Sequence, residues 1–330
     1  MFNLSDYSYH LPKKLIAQEP VTPKDASRLM VIQGNNYEHL VFRDITKYFR
    51  EGDVLVVNNT KVLANKLRGK RSTGSCASVV IEKEYNGLYR CRVEANNPRQ
   101  GTNLYFPAGL EAQIYQREDD IFWLTFNKSP WPVLEKYGEL PLPNYIRRPL
   151  SDNSGYQTEF SSEHGSFAAP TSGLHFTNEL LRRLENIGVK VCYITLHISF
   201  GTFKPIDGSV QKTENEYYFI PEQTAEAVNK RKGRLIVCGT TVFKCLESSI
   251  KNDLVLPGEG SSDLFICPGH NFKLKPDMMI TNFHLPKSSL ILFVSAYFGR
   301  DTVINAYKEA VRKEYRFFSL GDACLFIAPC

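Results

Sequence analysis

Between Cys76 and Phe126, five short β-rich runs (ASVVIEK, LYRCRVEA, TNLYF, EAQIY and IFWLTF) follow one another at turn-length intervals, with Gly87, Gly101 and Gly109 between them. Runs rich in β-branched and aromatic residues and punctuated by glycine predict a small antiparallel sheet or barrel. The pattern breaks at Pro130, because five of the 18 prolines fall between there and Pro149. Proline has no N–H to give a sheet ladder, so an irregular, rigid return connection is expected. Beyond it, helix and strand alternate. Leu180, Leu181, Leu184 and Ile187 recur at helical spacing, with Thr177 placed as the N-cap and Gly188 just past the end. VKVCYITLHI, RLIVC and CLFIA read as strands, and residues 221–232, 241–250 and 301–313 as helices. RLMVI and DVLVVN, in the first 60 residues, suit the same sheet. The expected architecture is an α/β (α+β) core domain built from residues 1–62 and 150–330, carrying the active site. A small antiparallel β-barrel domain with its return linker is inserted at 63–149.

Composition narrows the class. Of 330 residues, 42% are hydrophobic and 23% charged, which excludes disordered, collagen-like and fibrous chains. The longest nearly apolar stretch, 290–298, is interrupted by Ser295 and is about half of what a membrane helix needs, so no membrane contact is expected. MFNLSDYSYHLPKK lacks a cationic segment followed by an apolar run, so a cytoplasmic location is expected. Eight cysteines without a C-x-x-C pair read as reduced thiols, and Cys267-Pro-Gly-His270 has no second half to complete a zinc site, so no metal is expected. The net charge of +5 is locally concentrated. Lys66, Arg68, Lys70 and Arg71 form one cluster, Lys230, Arg231, Lys232 and Arg234 another, and Arg147 adjoins Arg148. Each is either a solvated face or a phosphate contact.

Cys238-Gly239-Thr240-Thr241 joins a strand to a helix start, where free N–H groups favour an anion unless a threonine hydroxyl caps them. Neither G-x-G-x-x-G nor a P-loop occurs, and Gly258-Glu-Gly260 follows no convincing strand, which disfavours a Rossmann site or an NTPase. His175, His197 and His284 sit in runs of small or aromatic residues. Singly, each reads as a core histidine; together, at strand ends, they suggest a shared polar pocket. Ser172 is not a nucleophile elbow, since Pro170 stands where that motif has glycine.

The motifs APTSGLHF, LHISFGTFKP, GTT, ITNFHLPKSSLILFVSAYFG and YRFFSLGDA, together with LPKKLIAQEP, Arg28-Leu29, GDVLVVNNTKV, LRGKR and GELPLPNYIRRP leading to YQTEFS, run nearly end to end. In them the chain closely resembles the S-adenosylmethionine:tRNA ribosyltransferase-isomerase family of queuosine biosynthesis, whose members carry a β-barrel within an α/β core. The resemblance implies that the ribosyl part of S-adenosylmethionine is transferred to 7-aminomethyl-7-deazaguanine at the wobble position of tRNA. Isomerisation then gives epoxyqueuosine, with release of adenine and methionine. S-adenosylmethionine is consumed as a substrate, so no cofactor is expected, and a monomer is expected. Carried over motif by motif, the implied catalytic residues are His175, His197 and Asp322. The implied substrate-binding residues are Asn58, Asn59, Thr171, Thr202, Glu216, Thr240, Thr241, Asn282, His284 and Arg316. The basic residues Lys66, Arg68, Lys70, Arg71, Arg147 and Arg148 become the expected tRNA contacts, and Phe176, Phe200, Phe203 and Phe283 are either core rings or faces for the sulfonium.

Two departures stand out. Where many members have His-x-Met-His-x-Glu, this chain has Gln211-Lys-Thr213-Glu214-Asn-Glu216, and a usual glycine pair is replaced by Gly74-Ser-Cys76. Glu214 is then a substitute base if burial raises its pKa. The rival readings are a catalytically silent tRNA-binding paralogue and an S-adenosylmethionine-dependent tRNA methyltransferase.

Overall fold

The structure is a computed structural model that describes residues 2–143, 145–147, 150, 152–200 and 213–329. The chain divides into two compact units, Met1–Val62 with Pro143–Cys330, and Leu63–Leu142. The return to the first unit thus comes at Pro143, earlier than the 150 expected from the proline run.

The first unit is built on a nine-stranded sheet. Its order is Gly258–Ser262, Glu216–Ile220, Lys190–Leu196, Val54–Asn58, Leu235–Cys238, Met278–Asn282, Ala323–Ile327, Arg28–Gln33, Asn36–Val41. The four strands from Lys190–Leu196 to Met278–Asn282 are mutually parallel. Both sheet faces are covered, which is why VLVVN and LIVC are apolar almost without alternation and buried at every position. Val54 and Val56 pack on one face, among Phe243, Leu246, Val303 and Tyr307. Leu55 and Val57 pack on the other, among Phe42, Phe176, Leu180 and Leu184. The strand period of two assigns alternate residues to the two cores.

Because four strands run the same way, their carboxyl ends Asn58, Leu196, Cys238 and Asn282 share one sheet edge, the usual position of a site in α/β sheets. Ala323–Ile327 runs antiparallel to Met278–Asn282, and Arg28–Gln33 parallel to Ala323–Ile327, so both begin at this edge.

At the opposite edge the Asp53 carboxylate is fully buried. It accepts hydrogen bonds from Arg50 N and from Arg234 N, Nε and Nη2 at 2.7–3.2 Å. Burial alone would raise the Asp53 pKa, but the bonds from Arg234 outweigh it and hold the carboxyl below its ordinary value. Three of the four cations in the 230–234 cluster have partners within the protein. Arg234 is committed to Asp53, Lys230 pairs with Glu226, and Arg231 donates to the Val228 carbonyl.

The second unit is a closed six-stranded antiparallel barrel. Its order is Ile121–Phe126, Leu88–Ala95, Cys76–Tyr85, Lys66–Arg71, Asn103–Phe106, Leu110–Glu118. The sixth strand, Lys66–Arg71, lies outside the five runs read from sequence and carries the first basic cluster. Its cations stand at exposed or half-buried positions and only Leu67 points inward, so the apolar signal is almost absent. Gly69 is required there, since a Cβ would lie 2.2 Å from the Tyr105 carbonyl oxygen. Part of the proline-rich connection is also ordered differently from expectation. Trp131–Tyr137 is a short helix with Pro132 in its first turn, where a missing N–H is harmless. No helix among the described residues is long and apolar enough to cross a membrane.

Candidate active site

At the shared sheet edge a cleft of about 500 Å3 opens to solvent. Four segments line it: Ala169 to Ser172, Gly239 to Thr241, Thr281 with Asn282 and His284 at the end of a parallel strand, and Phe318 with Ser319 before the final strand; Ile198 and Leu290 complete the wall. No Asp, Glu, Lys or Arg is among these lining residues.

The helix Thr240–Ser249 begins in the cleft wall. Gly239 is its cap, with φ 93°, a left-handed conformation that glycine adopts without strain. No side chain caps the helix, and the first helical bond runs from Phe243 N to the Gly239 carbonyl at 3.3 Å. Capping by a threonine hydroxyl is therefore not what this turn does. The N–H groups of Thr240, Thr241 and Val242 are left for a ligand or water.

His175, in the turn Thr171–His175, is bonded at both ring nitrogens. Nδ1 is 2.8 Å from Ser27 Oγ, and Nε2 is 3.3 Å from Asn282 Nδ2. The Asn282 amide also donates to the Phe318 carbonyl at 3.1 Å. An amide N–H facing Nε2 assigns the lone pair to Nε2 and the proton to Nδ1. Burial first, and then the nearby Arg316 charge, lower the His175 pKa to about 3. The imidazole is neutral and stands behind Asn282, facing a separate hollow of about 280 Å3 with Ser27, Lys24 and Gly321.

His284 does line the cleft. Its Nε2 is 3.1 Å from Thr281 Oγ1, its carbonyl accepts from the Tyr9 hydroxyl, and burial lowers its pKa to about 3. His197 lies outside the lining residues. It bonds Thr60 Oγ1 at 2.7 Å and stacks on Tyr217, and burial lowers its pKa. A Cβ on Gly165 would meet its Nε2 at 2.6 Å, so glycine makes room for the ring.

Asp322 acts as a clamp. Its carboxylate accepts Arg28 N at 3.0 Å and Arg316 N at 2.8 Å, and burial raises its pKa despite those bonds. Arg316 turns its guanidinium to the carbonyls of Glu19 and Leu320. Asn58 ties two parallel strands, accepting from Leu196 N and Thr60 N at 3.1 Å and donating to the Leu196 carbonyl at 3.0 Å. Asn59 accepts from Thr195 Oγ1 and donates to Ser162 Oγ. Glu216, buried, accepts from Ser199 N at 2.8 Å and pairs with the buried Lys244 at 3.1 Å. It thereby fixes the residue next to Ile198 in the cleft wall. Thr171, Thr240, Thr241, Asn282 and His284 are thus together in the cleft. Asn58, His175, Glu216 and Asp322 hold the strand ends and turns around it, while Thr202, Phe203, Gln211 and Arg148 lie outside the described residues. Glu214 is half-buried beside Thr213.

Phe176 and Phe283 are wholly buried in the two cores, and Phe200 stacks on Phe167 at 4.8 Å. Among the described residues the aromatic ring lining the cleft is Phe318, held at φ 76°, which the motifs contain but sequence reasoning does not single out. Ser27, directly before Arg28, escapes it in the same way, while Ser172, inside the APTSGLHF motif, is weighed from sequence only as a nucleophile.

The family model for queuosine biosynthesis proteins matches residues 4–326. The chain belongs to this family. It is 43% identical to the S-adenosylmethionine:tRNA ribosyltransferase-isomerase of Geotalea uraniireducens, over 97% of this chain and 98% of that protein. The protein of the same name from Carboxydothermus hydrogenoformans is 44% identical over 98% and 99%. The crystal structure of S-adenosylmethionine tRNA ribosyltransferase from Thermotoga maritima is similar with a TM-score of 0.57 at 33% identity, covering 98% of this chain and 100% of that one.

In this queuosine biosynthesis protein the barrel cations differ in their freedom. Lys66 pairs with Glu94 and Arg68 with Glu139, both at 2.7 Å, and Arg71 donates to the Asn96 carbonyl at 2.6 Å. Lys70 is exposed, and its ammonium makes no bond among the described residues. Arg147 is exposed, its backbone N–H bonded to Gln18 Oε1 at 3.0 Å.

Proposed function

We propose that this chain is an S-adenosylmethionine:tRNA ribosyltransferase-isomerase and that its reaction takes place in the cleft at the parallel-strand edge. The observation that carries the reading is similarity over nearly the whole chain to relatives of that name. The motifs that share it supply Thr171, Thr240, Asn282, His284 and Phe318 to one wall. The reaction transfers the ribosyl group of S-adenosylmethionine to an aminomethyl-deazaguanine in tRNA and releases adenine and methionine. A cleft with no Lys or Arg among its described lining residues suits a sulfonium, which the Phe318 face can attract. Proton removal beside the sulfonium calls for a base within reach of the reacting carbon. His284 is the imidazole that lines the cleft, whereas His175 holds Asn282 from behind.

Incubation with tRNA bearing the aminomethyl-deazaguanine base, followed by mass spectrometry, is expected to show epoxyqueuosine with free adenine and methionine. A methyltransferase would leave S-adenosylhomocysteine instead. That product, or no adenine above background, would defeat the proposal, as would tRNA binding without turnover.

For tRNA recognition the barrel geometry separates Lys70 from its neighbours. Lys70→Gln should shallow the log–log salt slope of tRNA binding by about 0.7 to 0.9, the value for one phosphate that the protein no longer neutralises. Lys66→Gln and Arg68→Gln should change it less, because Glu94 and Glu139 already neutralise them. Filter binding between about 50 and 200 mM salt measures this. Equal slopes for Lys70→Gln and wild type would make Lys70 a solvated side chain.

A further inference from the structure

We propose that Ser172 and the open first turn of the Thr240–Ser249 helix form the subsite for the α-carboxylate of S-adenosylmethionine, an assignment that rests on the activity proposed above. The helix is ten residues long and starts without a side-chain cap, so its first N–H groups and the positive end of its dipole face the cleft. The independent observation is Ser172. It is only 7% exposed, lines the same cleft, and its hydroxyl has no hydrogen-bond partner among the described residues. A Cβ on Gly239 would lie 3.3 Å from Ser172 Oγ, so the hydroxyl stands directly over the cap residue. The side chain is held on all but its cleft side, so its hydroxyl is free to bond a ligand oxygen there in place of water.

The charge of the cleft selects the ligand. With no Lys or Arg among the described lining residues and His284 neutral, the helix end is the main source of positive potential that they supply. That matches one delocalised negative charge better than a dianion or a run of phosphates. A carboxylate presents two oxygens, one for the Ser172 hydroxyl and one for the N–H groups of Thr240 and Thr241. The amino-acid end of S-adenosylmethionine is thereby the part recognised at this helix, leaving the nucleoside for Asn282, Phe318 and Ser319.

Calorimetric titration with S-adenosylmethionine and with its decarboxylated analogue tests this. Wild-type protein should bind the analogue about 10- to 100-fold more weakly, the range for hydrogen bonds to a charged group. Ser172→Ala should weaken S-adenosylmethionine about tenfold and leave the analogue unchanged. Thr240→Pro removes one N–H at the first helical position, where proline is tolerated, and should show the same selective loss. Melting temperature checks that each variant folds, and either variant alone suffices. Equal weakening of both ligands, or no change in either, overturns the subsite. Loss of tRNA affinity with unchanged S-adenosylmethionine affinity in Ser172→Ala would assign the turn to a phosphate and also overturn it. Equal binding of both ligands by wild type rejects only the subsite, whereas failure to bind S-adenosylmethionine at all rejects the activity as well.

Discussion

His175→Phe is expected to lower the single-turnover rate of ribosyl transfer by about 10²-fold, the loss that follows a displacement of about 1 Å at a reacting centre. The phenyl ring fits beside Phe42, whose ring centre is 5.0 Å from that of His175. It cannot accept from Asn282, so the Asn282 amide loses one of the two acceptors that fix it. His175→Gln should recover part of the rate, because its amide oxygen can accept that bond. Neither variant should alter the shape of the pH profile between about pH 5 and 9, since an imidazole held at about 3 does not titrate there. Rapid-quench assays across that range, with thermal melts as a folding control, make the measurement. Should His175 itself carry the proton, Gln and Phe would be equally poor and one limb of the profile would vanish.

Acidification from pH 7 to pH 5 is expected to remove about 4 kcal/mol of folding stability. Burial depresses both His175 and His284 from 6.5 to about 3. The unfolded chain therefore takes up two protons below 6.5 that the folded chain refuses. Stability is complete above 6.5 and falls as pH drops, by about 1.4 kcal/mol per pH unit for each group. His197 and His39 are lowered as well and act in the same direction. Asp322, raised by burial, acts in the opposite sense, and Asp53, lowered by Arg234, starts to lose its contribution only below its ordinary carboxylate range. Urea unfolding at pH 7, 6 and 5 measures the slope, and His284→Gln should reduce it by about half. A flat stability profile over this interval would mean that the two imidazoles are charged in the fold.

The strands Val54–Asn58 and Leu235–Cys238 were legible because burial on both faces makes them continuously apolar. The helix Asn178–Asn186 was legible through Thr177, whose hydroxyl accepts from Leu180 N at 3.1 Å, and through Gly188. Ser289–Phe298 was not, since a helix buried on several sides loses its 3.6-residue period and reads as an undifferentiated apolar run. Lys66–Arg71 was hidden by its own charges. The histidine cluster at the strand ends could be read from the motifs, but not which ring faces the cleft. That depends on Ser27 and Asn282, which lie 148 and 107 residues from His175 along the chain. The same distance problem concealed the pairing of Arg68 with Glu139, 71 residues away, and made a barrel strand look like an open phosphate site.

The hairpin of Arg28–Gln33 and Asn36–Val41 joins the sheet only through Ala323–Ile327, and Asp322 grips Arg28 N across 294 residues. During synthesis at about 5 to 20 residues per second, that hairpin waits roughly 15 to 60 seconds for the strand on which it docks. The barrel, whose pairings are closed within Leu63–Leu142, needs nothing made later. Birth order and assembly order therefore run in opposite directions for the two ends of the core. The earliest apolar strands, Leu29 to Ile32 and Val54 to Val57, stay unsheltered longest, which makes the nascent chain a natural client for chaperones that shield extended hydrophobic segments.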